Sequence, residues 1–231
     1  MNAGKMSELM KKIGYSFKNA EILKLALTHS SYANEHRALN IEYNERIEFL
    51  GDAVLELVTS EYLYKDNHHM PEGEMTRLRA SLVCEPTLAL CAEEISLGGY
   101  LFMGKGEERS GGRERASIVS DAMEAVIGAI FLDGGLEEAR KFIHRFVLTD
   151  LENKKLFTDS KTILQELVQG EHGDKELVYK IINEEGPDHN KVYTAAVYVG
   201  GVEEGSGTGR SKKAAEQSAA YKAVLKLKKR G

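Results

Sequence analysis

The chain is poor in cysteine and has no long apolar run. Its 231 residues include two cysteines, Cys84 and Cys91, in one short segment. That pair matches no zinc-ligand spacing and builds no disulfide framework, so a reducing cytoplasm is expected. No stretch of 18 apolar residues occurs, which argues against a hydrophobic spanning helix and a membrane partner. The opening "MNAGKMSELMKKIGYS" lacks the apolar core of a signal peptide. A basic excess is missing too: net charge is −5, which does not advertise a polyanion partner. No repeat period and no His/Cys cluster are found. An apolar content of 42% still leaves ample core for one or two domains.

Charge is unevenly spread. Residues 1–158 hold 19 basic and 25 acidic side chains, and residues 159–231 hold 12 and 11. Within 205–231 there are eight Lys or Arg against one Glu. Fields between exposed charges are screened beyond roughly 10 Å, so this local basic stretch can meet phosphates while the first part stays acidic.

The first part reads as helical. Apolar residues recur at helical spacing in 15–32, 44–64, 71–100 and 118–146, with breaks near Pro86, Gly98-Gly99 and Gly134-Gly135. "LFMGKGEERSGGRERAS" reads as a polar, Gly-rich loop, and no strand is evident. "NKKLFTDS" reads as a linker over 153–158. Beyond it the pattern changes to helix "SKTILQELVQ", strands "LVYKIINEEG" and "KVYTAAVYVGG", a short third strand in "GVEEGSGTGR", and a helix opening at Ser211. The expected organisation is therefore an all-α domain over 1–152 and a small α+β domain, α-β-β-β-α, over 159–231.

One stripe carries the chemistry. At about 100° per residue, Glu45, Glu48, Asp52 and Glu56 fall within roughly 80° of helix arc. Such a stripe alone suits solvent as well as metal. Asp121 and Glu124 are i,i+3 neighbours followed by "AVIGAIFL", a run without polar side chains. A helix that apolar is expected to be buried. Two dehydrated, unpaired carboxylates near its start would cost several kcal/mol, which cations would offset. With no His or Cys beside them, the acids point to Mg²⁺, with Mn²⁺ as a substitute. Glu72, in "MPEGEM", is a further candidate.

"NERIEFLGDAVLELV" resembles the signature of the ribonuclease III family. "LTHSSYANE", "PEGEMTRLRASLV", "MGKGEERSGGR" and "SIVSDAMEAVIGAIFLDGG" resemble its other motifs in order and spacing. The resemblance implies hydrolysis of double-stranded RNA to 5′-phosphate and 3′-hydroxyl ends. It carries the family's acids onto Glu45, Glu48, Asp52, Glu72, Asp121 and Glu124. Of these, Glu48, Asp52, Asp121 and Glu124 are the expected inner metal ligands, with Glu45 and Glu72 in support. Glu56 matches no family acid and is expected to be solvated. No histidine base is needed, so His29, His68 and His69 are expected to be structural or surface groups, and no small-molecule cofactor is expected.

The resemblance also implies a homodimer in which each subunit cuts one strand, leaving a two-nucleotide 3′ overhang. Phe49 is either a partner-filling anchor of that dimer or an ordinary core aromatic. Residues 159–231 resemble a double-stranded-RNA-binding domain through "KTILQELVQ", "GPDHNKVYTAAVYV" and "GSGTGRSKKAAEQSAA". That implies minor-groove contacts from Thr162, Gln165, Glu166 and Gln169, a second set from His189 and Lys191, and phosphate contacts from Arg210, Ser211, Lys212 and Lys213. Glu216 is expected to weaken phosphate attraction locally. Structured RNAs such as ribosomal precursors are the implied substrates. The competing reading is a non-cleaving duplex-binding protein, against which all six acids are intact.

Overall fold

Apolar spacing and helix-stopping residues govern the first part of the fold. The structure, a computed structural model, describes residues 3–66, 68–171, 175–186, 191–209 and 211–228. The chain divides into two compact units, Met1–Leu151 and Glu152–Gly231. Among its described residues, the first unit holds α1 (Ala3–Ile13), α2 (Ala20–Ala26), α3 (Ser30–Glu35), α4 (Glu45–Asp66), α5 (Glu72–Val83), α6 (Glu85–Glu94), α7 (Lys105–Arg109), α8 (Ala116–Gly134) and α9 (Leu136–Phe146). Three 3₁₀ turns join them, and Thr28 and Phe102 form an isolated parallel bridge.

Helix α8 is the spine of this unit. Ile118, Val119, Ala122, Met123, Ala125, Val126, Ile127, Ala129 and Ile130 are all buried, as an apolar run with no solvent face requires. It ends at Gly134, and Gly135 follows with φ 83°, a left-handed conformation that costs glycine little.

Helix α4 crosses α8 at backbone contact, and two glycines allow it. A Cβ added to Gly51 would run into the Glu124 carbonyl, and one added to Gly128 would run into the carbonyl of Ile47. The crossing brings the acid-bearing turn of α4 against the acid-bearing turn of α8. Helix α4 thus has three faces. Ile47, Gly51, Val54, Leu55 and Val58 are buried, the acids line a second face, and an exposed apolar stripe lines the third.

The Gly-rich loop expected over 101–117 is partly helical. Helix α7 and a 3₁₀ turn at Gly112–Glu114 occupy its middle. A five-residue helix is too short to leave a readable period. The linker expected over 153–158 is helical as well. It lies in α10 (Leu151–Thr158), where Leu156 is buried in the second unit's core.

The second unit continues with α11 (Ser160–Glu171), β1 (Leu177–Glu185), β2 (Val192–Val199), β3 (Val202–Gly209) and α12 (Lys212–Lys228). The strands form an antiparallel sheet in the order β1-β2-β3. Helix α12 packs on β3 with small residues on both sides. Gly205, Gly207 and Gly209 alternate along the strand, and a Cβ on each would strike α12 backbone near Ala215, Ala219 and Ala223. Among the described residues, no helix is long and apolar enough to cross a membrane.

Candidate functional site

The α4–α8 crossing assembles a carboxylate cluster. Ligand oxygens of Glu48, Asp121 and Glu124 all lie within 4.8 Å of one another. Helix periodicity places Glu48 one turn before Gly51, and Asp121 and Glu124 one turn apart on α8, so the close crossing aims all three into one space.

Burial and mutual repulsion hold the cluster back from full ionisation. Burial, then the charges of Asp121, Glu45 and Asp52, raises the Glu48 carboxyl to about 7. Burial, then Asp52, Glu48 and Asp121, raises Glu124 to about 8. Asp121 is also raised, chiefly by burial, against the lowering effect of the Ser120 hydroxyl. Desolvated carboxylates packed this closely are what a hard cation would neutralise, so the residues fit Mg²⁺ or Mn²⁺ chemistry.

The other expected acids are placed differently. Asp52 is exposed at the cluster's edge, and both Glu48 and Glu124 feel its charge. Glu45 is exposed one turn earlier on α4 and acts on Glu48 and Asp121 through its field. Glu72 is not brought into the cluster. It opens α5, accepts a hydrogen bond from the Thr76 hydroxyl at 2.9 Å, and lines a groove with Ser60, Tyr64 and Arg79. Glu56, expected to be solvated, pairs with Arg79 at 3.0 Å and ties α5 to α4.

Phe49 is not a core aromatic within the chain. It is 78% exposed, and Leu57 and Tyr64 on the same face of α4 are 56% and 72% exposed. The three fall within roughly 80° of helix arc.

In the second unit, Thr162, Gln165, Glu166 and Gln169 all stand exposed on one face of α11. Leu164 and Val168 are buried on the opposite face. Ser211 accepts a hydrogen bond from the Ala214 N–H at 3.1 Å, capping α12, and Lys212 and Lys213 are exposed in its first turn. His189 and Arg210 lie outside the described residues.

Two contacts were not legible beforehand. Glu184 on β1 pairs with both Lys191, at 3.8 Å, and Lys212, at 3.2 Å. It thereby brings together lysines twenty-one positions apart in sequence. Glu216 is neutralised by Lys161 of α11 at 2.5 Å, and Lys161 also lies over the Tyr179 ring. Its cost to phosphate attraction is smaller than an unpaired acid's would be.

Fold and site together define a class: a helical metal-dependent nuclease unit joined to a duplex-RNA-binding unit. Residues 19–151 match the Ribonuclease-III-like family, and residues 160–227 match the Double-stranded RNA binding motif. Ribonuclease 3 of Pelotomaculum thermopropionicum is 52% identical over 225 residues, spanning 96% of this chain and 93% of that protein. Ribonuclease 3 of Oceanobacillus iheyensis is 50% identical over 218 residues, spanning 94% and 95%. The solved nuclease domain of ribonuclease III from Campylobacter jejuni aligns with a TM-score of 0.58 and 42% identity, covering 62% of this chain and 95% of that one. The chain belongs to the ribonuclease III family and is an endoribonuclease of double-stranded RNA.

Proposed function

We propose that Glu48, Asp52, Asp121 and Glu124 hold Mg²⁺, or Mn²⁺ in its place, and that the site cuts duplex RNA to 5′-phosphate and 3′-hydroxyl ends. The observation that carries this reading is the convergence of Glu48, Asp121 and Glu124 within 4.8 Å, with Glu48 and Glu124 raised to about 7 and about 8. When bound, divalent cations neutralise the phosphate and make a water a stronger nucleophile. The chain's own part is to hold the acids close and half-buried. Glu45 adds negative field at the rim.

The exposed faces supply the rest. Thr162, Gln165, Glu166 and Gln169 read 2′-hydroxyls and base edges, and His189 and Lys191 meet a second minor groove. Arg210, Ser211, Lys212 and Lys213 hold the phosphates between. The Phe49, Leu57 and Tyr64 stripe meets a second copy of the chain. The Campylobacter jejuni nuclease domain has a region involved in dimer formation, which supports this. Two sites, one per subunit, then leave two-nucleotide 3′ overhangs. The substrates are structured cytoplasmic RNAs, including ribosomal precursors.

Glu124→Gln tests the site. It is expected to abolish cleavage of long duplex RNA in Mg²⁺ while duplex binding in Ca²⁺ is retained. Cutting at the wild-type rate would overturn the assignment.

A further inference from the structure

His29 is held in one tautomer beside the carboxylate cluster. Its backbone sits where three segments meet: His29 N–H donates to the Phe102 carbonyl at 3.0 Å, and the neighbouring Thr28 carbonyl accepts from Asn44 N–H at 2.9 Å. Asn44 immediately precedes Glu45, so the ring stands next to the acid-bearing start of α4. The Ser31 hydroxyl accepts from Gly104 N–H at 3.0 Å, which leaves its own proton to donate to His29 Nδ1, 2.8 Å away. The Ser31 backbone N–H donates to the same nitrogen at 3.3 Å. With Nδ1 occupied as an acceptor, a neutral imidazole carries its proton on Nε2.

Among the described residues, Nε2 has no hydrogen-bond partner. The charged groups around the ring are Glu107, Arg115, Asp121 and Glu45, and burial lowers its pKa, which favours the neutral form. Arg115, the nearby cation, is already engaged, by Glu107 at 2.5 Å and by the Ser110 hydroxyl at 3.0 Å. That leaves the imidazole N–H as a free donor at this rim. A phosphodiester brings acceptor oxygens and no donors, while the acids are given over to cations.

We propose that His29 is a substrate-contacting residue of the nuclease site, its Nε2–H donating to a non-bridging oxygen of a phosphodiester that cations held by Glu48, Asp121 and Glu124 would draw in. The proposal rests on the metal-dependent reading of that cluster. It adds to the structural part that the sequence suggested for His29, which its cap on α3 bears out.

Two substitutions separate the ring's two nitrogens. An asparagine amide falls near the Nδ1 position and a glutamine amide near Nε2. His29→Asn therefore keeps a cap for α3 and loses the donor, whereas His29→Gln keeps the donor and weakens the cap. Single-turnover cleavage of a uniform RNA duplex by the full chain in Mg²⁺ is the readout, with Glu124→Gln as a control. His29→Asn is expected to slow cleavage roughly 100-fold, the scale for losing one donor to developing charge. Its duplex affinity in Ca²⁺ and its half-saturating Mg²⁺ are expected to match wild type. His29→Gln is expected to cut at least about tenfold faster than His29→Asn while melting at a lower temperature. The reverse order, or wild-type cleavage by His29→Asn, overturns the proposal, as does recovery of His29→Asn by added Mg²⁺. Should His29→Asn fail to fold, His29→Gln still decides: cleavage within about tenfold of wild type is expected, and a loss of roughly 100-fold overturns the proposal. Wild-type cutting by Glu124→Gln would instead overturn the site reading itself.

Discussion

At the scale of single residues, Glu48 and Glu124 matter through their protons. Each has a folded pKa well above the ordinary value of 4.5, about 7 and about 8. In the unfolded chain they release protons near 4.5, whereas in the folded chain they keep them until pH 7 to 8. Across that window the folded state binds more protons, so stability falls as pH rises. In chelator, the melting temperature is expected to decline between about pH 5 and about pH 8. The Glu48→Gln/Glu124→Gln double variant is expected to lose that part of the slope. Mg²⁺ needs the deprotonated acids, so it is expected to raise the wild-type melting temperature more at pH 8 than at pH 6. Differential scanning calorimetry with and without Mg²⁺ reads both; equal slopes for the two proteins in chelator would contradict the burial assigned to these groups.

At the scale of elements, the α4–α8 contact decides whether the acids meet. Gly51 and Gly128 let the helix backbones touch, and no side chain can be inserted there without moving one helix. Gly51→Ala is expected to cost about 1–3 kcal/mol of stability, as overpacking does, and to lower cleavage well beyond that loss by separating Glu48 from Glu124. Gly73→Ala is the control, because a Cβ there meets nothing within 4 Å. Urea unfolding and a cleavage assay on both variants make the comparison. Equal behaviour would remove the crossing from the account of the site. The same logic of small residues recurs in the second unit, where the glycines of β3 let α12 lie against the sheet.

At the scale of the whole molecule, the apolar stripe on α4 is the feature an isolated chain leaves unexplained. Exposed aromatic and leucine side chains on one helix face are costly in water and favour association. Phe49→Glu places a charge at the most exposed residue of that stripe without touching the buried face. Sedimentation equilibrium is expected to change from about twice the chain mass of 25.6 kDa for wild type to a single chain for the variant. An unaltered mass would mean that this stripe is not the contact between copies.

Sequence alone was enough for the patterns that are local or periodic. The acid stripe of α4 follows from 100° per residue, the burial of α8 from a run without polar side chains, and the α-β-β-β-α order from the change of period after residue 159. Short or singly anchored segments were not legible. Helix α7 is five residues long, and α10 declares itself mainly through Leu156 meeting a core built from distant residues. Glu72 carries the right residue type, yet the position of α5 keeps it from Glu48, Asp121 and Glu124 within one chain. Phe49 is as apolar as any core residue, and only the packing of α4 shows that its face is left outside.

What the amino-acid order determined by itself, then, is which side chains share a helix face or strand, because rise and turn per residue are properties of the backbone. Which faces meet was decided by tertiary structure alone. The glycine crossing that gathers Glu48, Asp121 and Glu124, the Glu184 bridge between Lys191 and Lys212, and the Gly104 N–H that engages the Ser31 hydroxyl all join residues through close approach of separate elements. Those approaches depend on packing and burial summed over the whole unit, which no local period encodes.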